Sequence, residues 1–359
     1  MNRLSWPARS ALFIGLAAAL LYTLACGVRG TQQKTYLYVG EAFVPPTAPP
    51  VPVGFVAQFR VENDGTLTAL SPSTTTSVVP FFAAAVTPSN QYLFVPSGAT
   101  SEFGIGSNGV LAPKPSPGVT GNSVAFTPNG IFAIMVNSNN ATLSSYRLDS
   151  AGALTPISTA ATGGAPEYTV VDRSGRFAYV SDTNNDTVLE YAISTGGVLT
   201  PIGSIPAGGY NPRALVVSPS GFLYCGNTNS GSVTEFTINT STGALSLVNS
   251  YSIWVQPQPG TLWISFAPTG AHAYVGNGEE IAAFAVDTSS GALTSNGTIS
   301  NPYGELWGGV DPSGRFLFSA GEAGTVSQFI ISGTGTLIPN GSVSLGANMV
   351  AETLAFARH

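Results

Sequence analysis

Residues 212–247 read PRALVVSPSGFLYCGNTNSGSVTEFTINTSTGALSL. Two apolar runs flank the turn Pro219-Ser220-Gly221, and a Gly/Asn/Ser turn separates the second run from the alternating stretch Val233 to Ile238. A Thr-Gly turn then leads into a last short run ending at Leu247. Short β-branched and aromatic runs, each bounded by turn residues, predict four short antiparallel strands.

The unit recurs. Its first turn returns as Pro88-Ser-Asn90, Pro128-Asn-Gly130, Arg173-Ser-Gly175, Pro219-Ser-Gly221, Pro268-Thr-Gly270 and Pro312-Ser-Gly314, at spacings of 40, 45, 46, 49 and 44 residues. Four strands per period of this length indicate propeller blades. A further copy, YLYVG from Tyr36, lacks a first strand, and ETLAFA at 352–357 matches RALVVS at 213–218. The expected fold is all-β: a seven-bladed β-propeller of four-stranded antiparallel blades over residues 35–358. The C-terminal inner strand completes the N-terminal blade, so no edge is left open. The third strand of blade two, Ser101 to Ile105, reads as weak, and Val44 to Gly54 as a Pro-rich loop.

Only 8% of the 359 residues are charged, the net charge is −6, and no basic cluster occurs. Phosphate-backbone binding needs Lys and Arg, so nucleic acid is not an expected partner. Residues 1–26 read as an export signal, with Arg3 and Arg9 ahead of an apolar stretch from Ala11 to Leu21. The segment Thr23-Leu24-Ala25-Cys26-Gly27 resembles a bacterial lipobox, with Leu24 one place later than usual. Lipidation at Cys26 would anchor the protein to a membrane of the bacterial cell envelope, on the periplasmic side or the cell surface. Residues 27–34 are a short linker, and a monomer is expected. Cys225, the other cysteine, falls in a strand, so no disulfide framework arises.

The pattern in DRSGRFAYV (172–180), TVLEY (187–191) and GVLTP (197–201) resembles the seven-bladed lactonase family. That family includes 6-phosphogluconolactonases and carboxymuconate cyclases, and is similar to YVTN-type surface propellers. The resemblance implies lactone hydrolysis without a cofactor. The cyclase branch uses a His and several Arg, whereas this chain has only His272 and His359. Neither a Ser-His-Asp triad nor a histidine metal site can be built from these.

The residue eight before each turn glycine begins an inner strand at one mouth of the channel. Those residues are Phe82, Asn122, Glu167, Arg213, Leu262 and Leu306, joined by Glu352 from the tail and by the neighbouring Glu305. Glu167, Arg213, Glu305 and Glu352 are the catalytic candidates: a carboxylate as general base on water, the guanidinium for an oxyanion. Tyr168, Tyr210, Trp263, Tyr303 and Trp307, with Asn122, are candidates to hold a ring substrate. An interblade Glu167–Arg213 salt bridge with aromatics filling the mouth accounts for the same pattern. Asp182 to Asp186 has alternate oxygen side chains but lacks the central glycine of a calcium loop, and Asn137, Asn227 and Asn277 recur at its place. A turn role covers all four, and no metal is expected. Two functions stay open: a hydrolase of a non-phosphorylated sugar or related lactone, or a non-catalytic surface propeller binding a peptide, glycan or envelope protein.

Overall fold

The computed structural model describes residues 33–43, 53–77, 83–253, 260, 263–301 and 305–359. The chain from Thr35 onward forms one unit. Its described residues form seven sheets of four strands each, all pairs antiparallel. Blade five runs from Pro212–Val217 through Leu223–Asn227 and Ser232–Ile238 to Leu245–Ser252, as the decisive stretch predicts. Ser101–Ile105 is a regular strand, paired on both sides, and not the irregular segment its sequence suggests. Residues 44–52 of the Pro-rich insertion lie outside the described residues.

The ring closes through the tail. Met349–Arg358 pairs with Thr35–Phe43, which is followed by Val53–Val61 and Leu67–Ser77. The last residues are held in place. Arg358 N donates to Asn90 Oδ1 at 3.0 Å, and the His359 ring lies 6.0 Å from that of Tyr36.

Each gap between neighbouring blades holds its own apolar cluster. Alternate residues of each second strand therefore face opposite gaps. Tyr36 and Tyr38 pack against blade two, Leu37 and Val39 against blade seven. Burial on both faces explains why these strands read as continuous apolar runs rather than alternating ones.

A repeated latch sets the blades in register. The glycine before each outer strand lies against the ring at, or within one residue of, the start of the preceding blade's second strand: Gly109 on Tyr36, Gly152 on Tyr92, Gly197 on Phe132, Gly243 on Phe177, Gly291 on Phe222, Gly335 on His272 and Gly65 on Phe316. The last of these joins blade seven to blade one. A Cβ at Gly197 would fall 2.7 Å from Phe132 Cε1, so the ring can approach only bare backbone. Two residues after the ring, Tyr38, Tyr179 and Tyr274 donate a hydroxyl to the same glycine's carbonyl, at 2.8, 2.8 and 2.9 Å.

The third strands add a second tie. Glu190 Oε1 accepts the Leu245 N–H at 2.8 Å, and Gln58 Oε1 the Leu111 N–H at 2.7 Å, each from the following blade. These buried polar groups thus satisfy backbone donors that the interface removes from water. The recurring Gly-x-Leu and Glu/Gln-aromatic motifs are two halves of one joint.

Candidate functional site

Four of the sequence-selected mouth positions share a backbone irregularity. In blade five, Pro212 pairs with Asn227 and Ala214 with Gly226, leaving Arg213 in a bulge. Blade seven bulges at Leu306, blade one at Glu352, and blade four over Glu167 and Tyr168. A bulge inserts an unpaired residue and redirects its side chain, and bulges gather beside active sites. Inner-strand hydroxyls hold adjoining blades at this level: Thr353 Oγ1 accepts Ala84 N–H at 2.8 Å, and Ser265 Oγ accepts Val310 N–H at 3.0 Å.

Glu167 and Arg213 are brought together. Arg213 Nε donates to Glu167 Oε1 at 2.9 Å, and Nη2 donates to the same oxygen. The interblade salt bridge expected from sequence is therefore present, and 35% of the Arg213 side chain still meets solvent. Glu167 also borders a cavity of about 410 Å³ with Asn122, Ser138, Asn139 and Thr183. Asn122 Oδ1 accepts from Ser138 N and Oγ, both at 2.8 Å, so its carbonyl orders the rim.

Glu352 differs from Glu167. One of its carboxylate oxygens is buried with no hydrogen-bond partner among the described residues, and burial pushes it up to about 7. Glu41 behaves alike on the paired strand. It is fully buried, neither oxygen is hydrogen-bonded among the described residues, and burial alone raises it to about 7. The register sets Glu352 in the bulge beside the Gly40 and Glu41 pairings. Sequence reading passes over Glu41. Its signal is a substitution within the repeat, because Asn137, Asp182, Asn227 and Asn277 hold the equivalent place.

Asn137, Asp182 and Asn277 have turn roles, while Asn227 donates to the Ala207 carbonyl and to the hydroxyls of Ser232 and Thr234. Asp182 Oδ1 accepts from Ala165 N at 2.9 Å and Asn184 N at 3.2 Å, while Oδ2 accepts from Asn185 Nδ2 at 2.6 Å. Asn277 Oδ1 accepts from the Glu279 and Glu280 amides at 2.9 and 2.8 Å. Both oxygens of Asp182 and Oδ1 of Asp186 accept from protein donors.

The aromatic candidates separate. Tyr168 of blade four and Trp307 of blade seven meet with ring centroids 5.7 Å apart and planes at 37°. Blades four and seven are not neighbours, so this pair spans the channel. Burial raises the Tyr168 phenol to about 12, which leaves it neutral as a hydrogen-bonding and packing group. Trp263 corrects the sequence expectation. It is 2% exposed and packs in the gap between blades six and seven. Gly276 and Gly308 make the slot, since a Cβ at either would enter the indole. Tyr210 is 67% exposed at the rim. Tyr303, Phe82, Leu262 and Cys26 lie outside the described residues. Glu305 pairs with Gly321 through its backbone.

Cys225 is fully buried, and burial raises its thiol, as suits an inert core residue. Arg176 and Arg315 serve the opposite face, donating to the carbonyls of Thr240 and Asn63 in adjoining blades.

The family model described as Lactonase, 7-bladed beta-propeller, matches residues 114–262. No curated protein matches the sequence. Among solved structures, a putative 6-phosphogluconolactonase from Bacteroides uniformis aligns with a TM-score of 0.77 at 19% identity, covering 91% of this chain and 100% of that one. The periplasmic gluconolactonase of Pseudomonas aeruginosa gives 0.73 at 18% identity, covering 90% of this chain and 99% of that one. A Lactobacillus plantarum protein gives 0.74 at 19% identity, covering 91% and 100%. The chain thus has the seven-bladed fold of these proteins, and its residues 114–262 carry the lactonase sequence pattern.

Proposed function

We propose that this protein hydrolyses a neutral lactone, of a sugar or a related acid, at the bulged mouth of the channel. The observation that carries the reading is the common bulge presenting Glu167, Arg213 and Glu352 at equivalent positions of their blades. The lactonase match over residues 114–262 supports the reaction class.

In this mechanism Glu352, raised to about 7, takes a proton from water as the water oxygen bonds to the lactone carbonyl carbon. Arg213, oriented by Glu167, stabilises the oxyanion. The tetrahedral intermediate collapses, the bond from that carbon to the ring oxygen breaks, and the carboxyl returns its proton to the departing oxygen. Tyr168 and Trp307 form an apolar floor across the channel. A phosphorylated lactone suits this mouth poorly, because its candidate cation is already engaged by a carboxylate. That engagement also favours a second reading, a non-catalytic propeller that binds a peptide, glycan or envelope protein.

The test is a panel of neutral aldonolactones and phosphorylated counterparts, followed by pH titration or product detection. Opening of a neutral lactone that falls in both Arg213→Ala and Glu352→Gln supports hydrolysis. No turnover on any member sinks it.

The leader and Cys26 support export and anchoring as a lipoprotein. Lipid-probe labelling that persists in Cys26→Ala overturns the anchor.

A further inference from the structure

The cavity beside Glu167 shares Thr183 with a second, open pocket of about 580 Å³, lined by Thr183, Asn184, Asp186, Tyr210, Asn211 and Asn229. The two adjoin at Thr183, so a groove leads from Glu167 on blade four to Tyr210 and Asn229 at the edge of blade five. Neither lining contains Lys or Arg. Its polar lining comes from side-chain amides and hydroxyls and from the carboxylates of Glu167 and Asp186, with one solvent-facing aromatic ring, Tyr210.

The frame of the outer pocket is built rather than incidental. Asn211 N donates to Asp186 Oδ1 at 2.7 Å, bridging blades four and five, and Asn211 Nδ2 donates to Asn229 Oδ1 at 3.2 Å within blade five. Tyr210 N donates to Ser230 Oγ at 2.7 Å, and the Tyr210 carbonyl accepts Asn229 N–H at 3.2 Å. Asp186 and Asn211 both have left-handed backbone, with φ of 53° and 56°. Non-glycine residues carry a cost in that region and concentrate where surrounding structure imposes it, often at binding sites. The backbone of Tyr210 is therefore tied down on both sides while its ring stands in water.

We propose that this groove is a binding site for a neutral oligosaccharide, with one sugar unit stacked on Tyr210 and the chain directed toward Glu167. An exposed, backbone-fixed tyrosine offers a flat apolar face at low entropic cost, and a pyranose presents a matching face of C–H bonds. Amides and a carboxylate around that ring pair with vicinal hydroxyls, which both donate and accept. The absence of cations from the lining turns selection against phosphorylated or carboxylated ligands. The proposal concerns binding and stands apart from turnover.

Calorimetry and saturation-transfer NMR on the full chain, with gluco-, galacto-, manno- and xylo-tetraoses and with glucose 6-phosphate as the charged comparator, test it. At least one neutral tetraose binds in the millimolar range or tighter, and more tightly than the comparator. Tyr210→Ala weakens that binding about tenfold, whereas Tyr210→Phe, which keeps the ring, retains it. Binding of no tetraose, stronger binding of the comparator, or equal binding by Tyr210→Ala overturns the proposal. Lactone opening is measured on the same preparation. A protein that opens lactones but ignores every tetraose keeps its hydrolase reading and loses this one, and the reverse result does the opposite.

Discussion

Arg213 of blade five reaches across the blade boundary to Glu167 of blade four, with Nε 2.9 Å from Oε1. The pair lies at the mouth and is partly solvated. A partly exposed ion pair contributes about 1 kcal/mol or less to stability. Removing a cation that stabilises an oxyanion costs about 100-fold or more in kcat.

Arg213→Ala is therefore expected to leave the melting temperature nearly unchanged while lactone turnover falls about 100-fold. Glu167→Gln, which loosens the guanidinium without deleting it, should fall less. Thermal melts and kcat on the same preparations check this. A large melting shift with intact turnover would assign the pair to blade docking alone.

Glu352 and Glu41 give a signed pH dependence. Both carboxyls are raised to about 7 in the folded protein, against about 4.3 in an unfolded chain. Between these values the folded state holds more protons than the unfolded state, so stability falls as pH rises from about 4.3 to 7 and then levels. For the fully buried Glu41 the loss is on the order of 3 kcal/mol. Denaturant melts across pH 4–8 should show this slope, flattened in Glu41→Gln. Activity runs the other way, because the general base must ionise: turnover rises through about pH 7, and Glu352→Gln abolishes that limb.

The glycine–ring latches separate two costs. Gly221 has φ 95°, and a methyl added there would meet no atom within 4 Å. Gly197 has φ 86°, and the same methyl would fall 2.7 Å from both Phe132 and Ile157. Gly221→Ala is expected to cost about 1 kcal/mol from backbone strain alone. Gly197→Ala should cost about 2–3 kcal/mol more, as overpacking is added. Equal losses in chemical denaturation would mean that the ring swings away freely.

Deleting Met349–Arg358 removes the strand that pairs with Thr35–Phe43 and the contacts of Leu354 and Ala351 with blade seven. The truncated chain should expose an unpaired edge and associate. Size-exclusion chromatography and far-UV circular dichroism read this out. A monomer with unchanged melting would show that closure contributes little.

The architecture was legible in the sequence because turn chemistry is local. Five of the six first turns place glycine where the backbone is left-handed, and the sixth uses Asn90, with φ 58°. Tail closure was legible because ETLAFA repeats the inner-strand pattern. The side-chain targets of inner-strand aromatics were not legible. Trp307 meets Tyr168 across the channel, while Trp263 turns fully into a gap where Gly276 of blade six and Gly308 of blade seven leave room for its indole. The same limit hid the roles of Glu190 and Gln58, whose partners are backbone amides one blade away. Ser101–Ile105 became a strand because both neighbours pair with it, which outweighs its poor local pattern.

The inner strand of blade one is translated only after blades two to seven, so three strands made early stay partly uncovered until the finishing piece arrives. Tyr36 and Tyr38 are covered by blade two, but Leu37 and Val39 wait for blade seven and the tail, across the longest sequence separation in the ring. A chain released gradually from the ribosome therefore cannot close its ring until these C-terminal residues emerge.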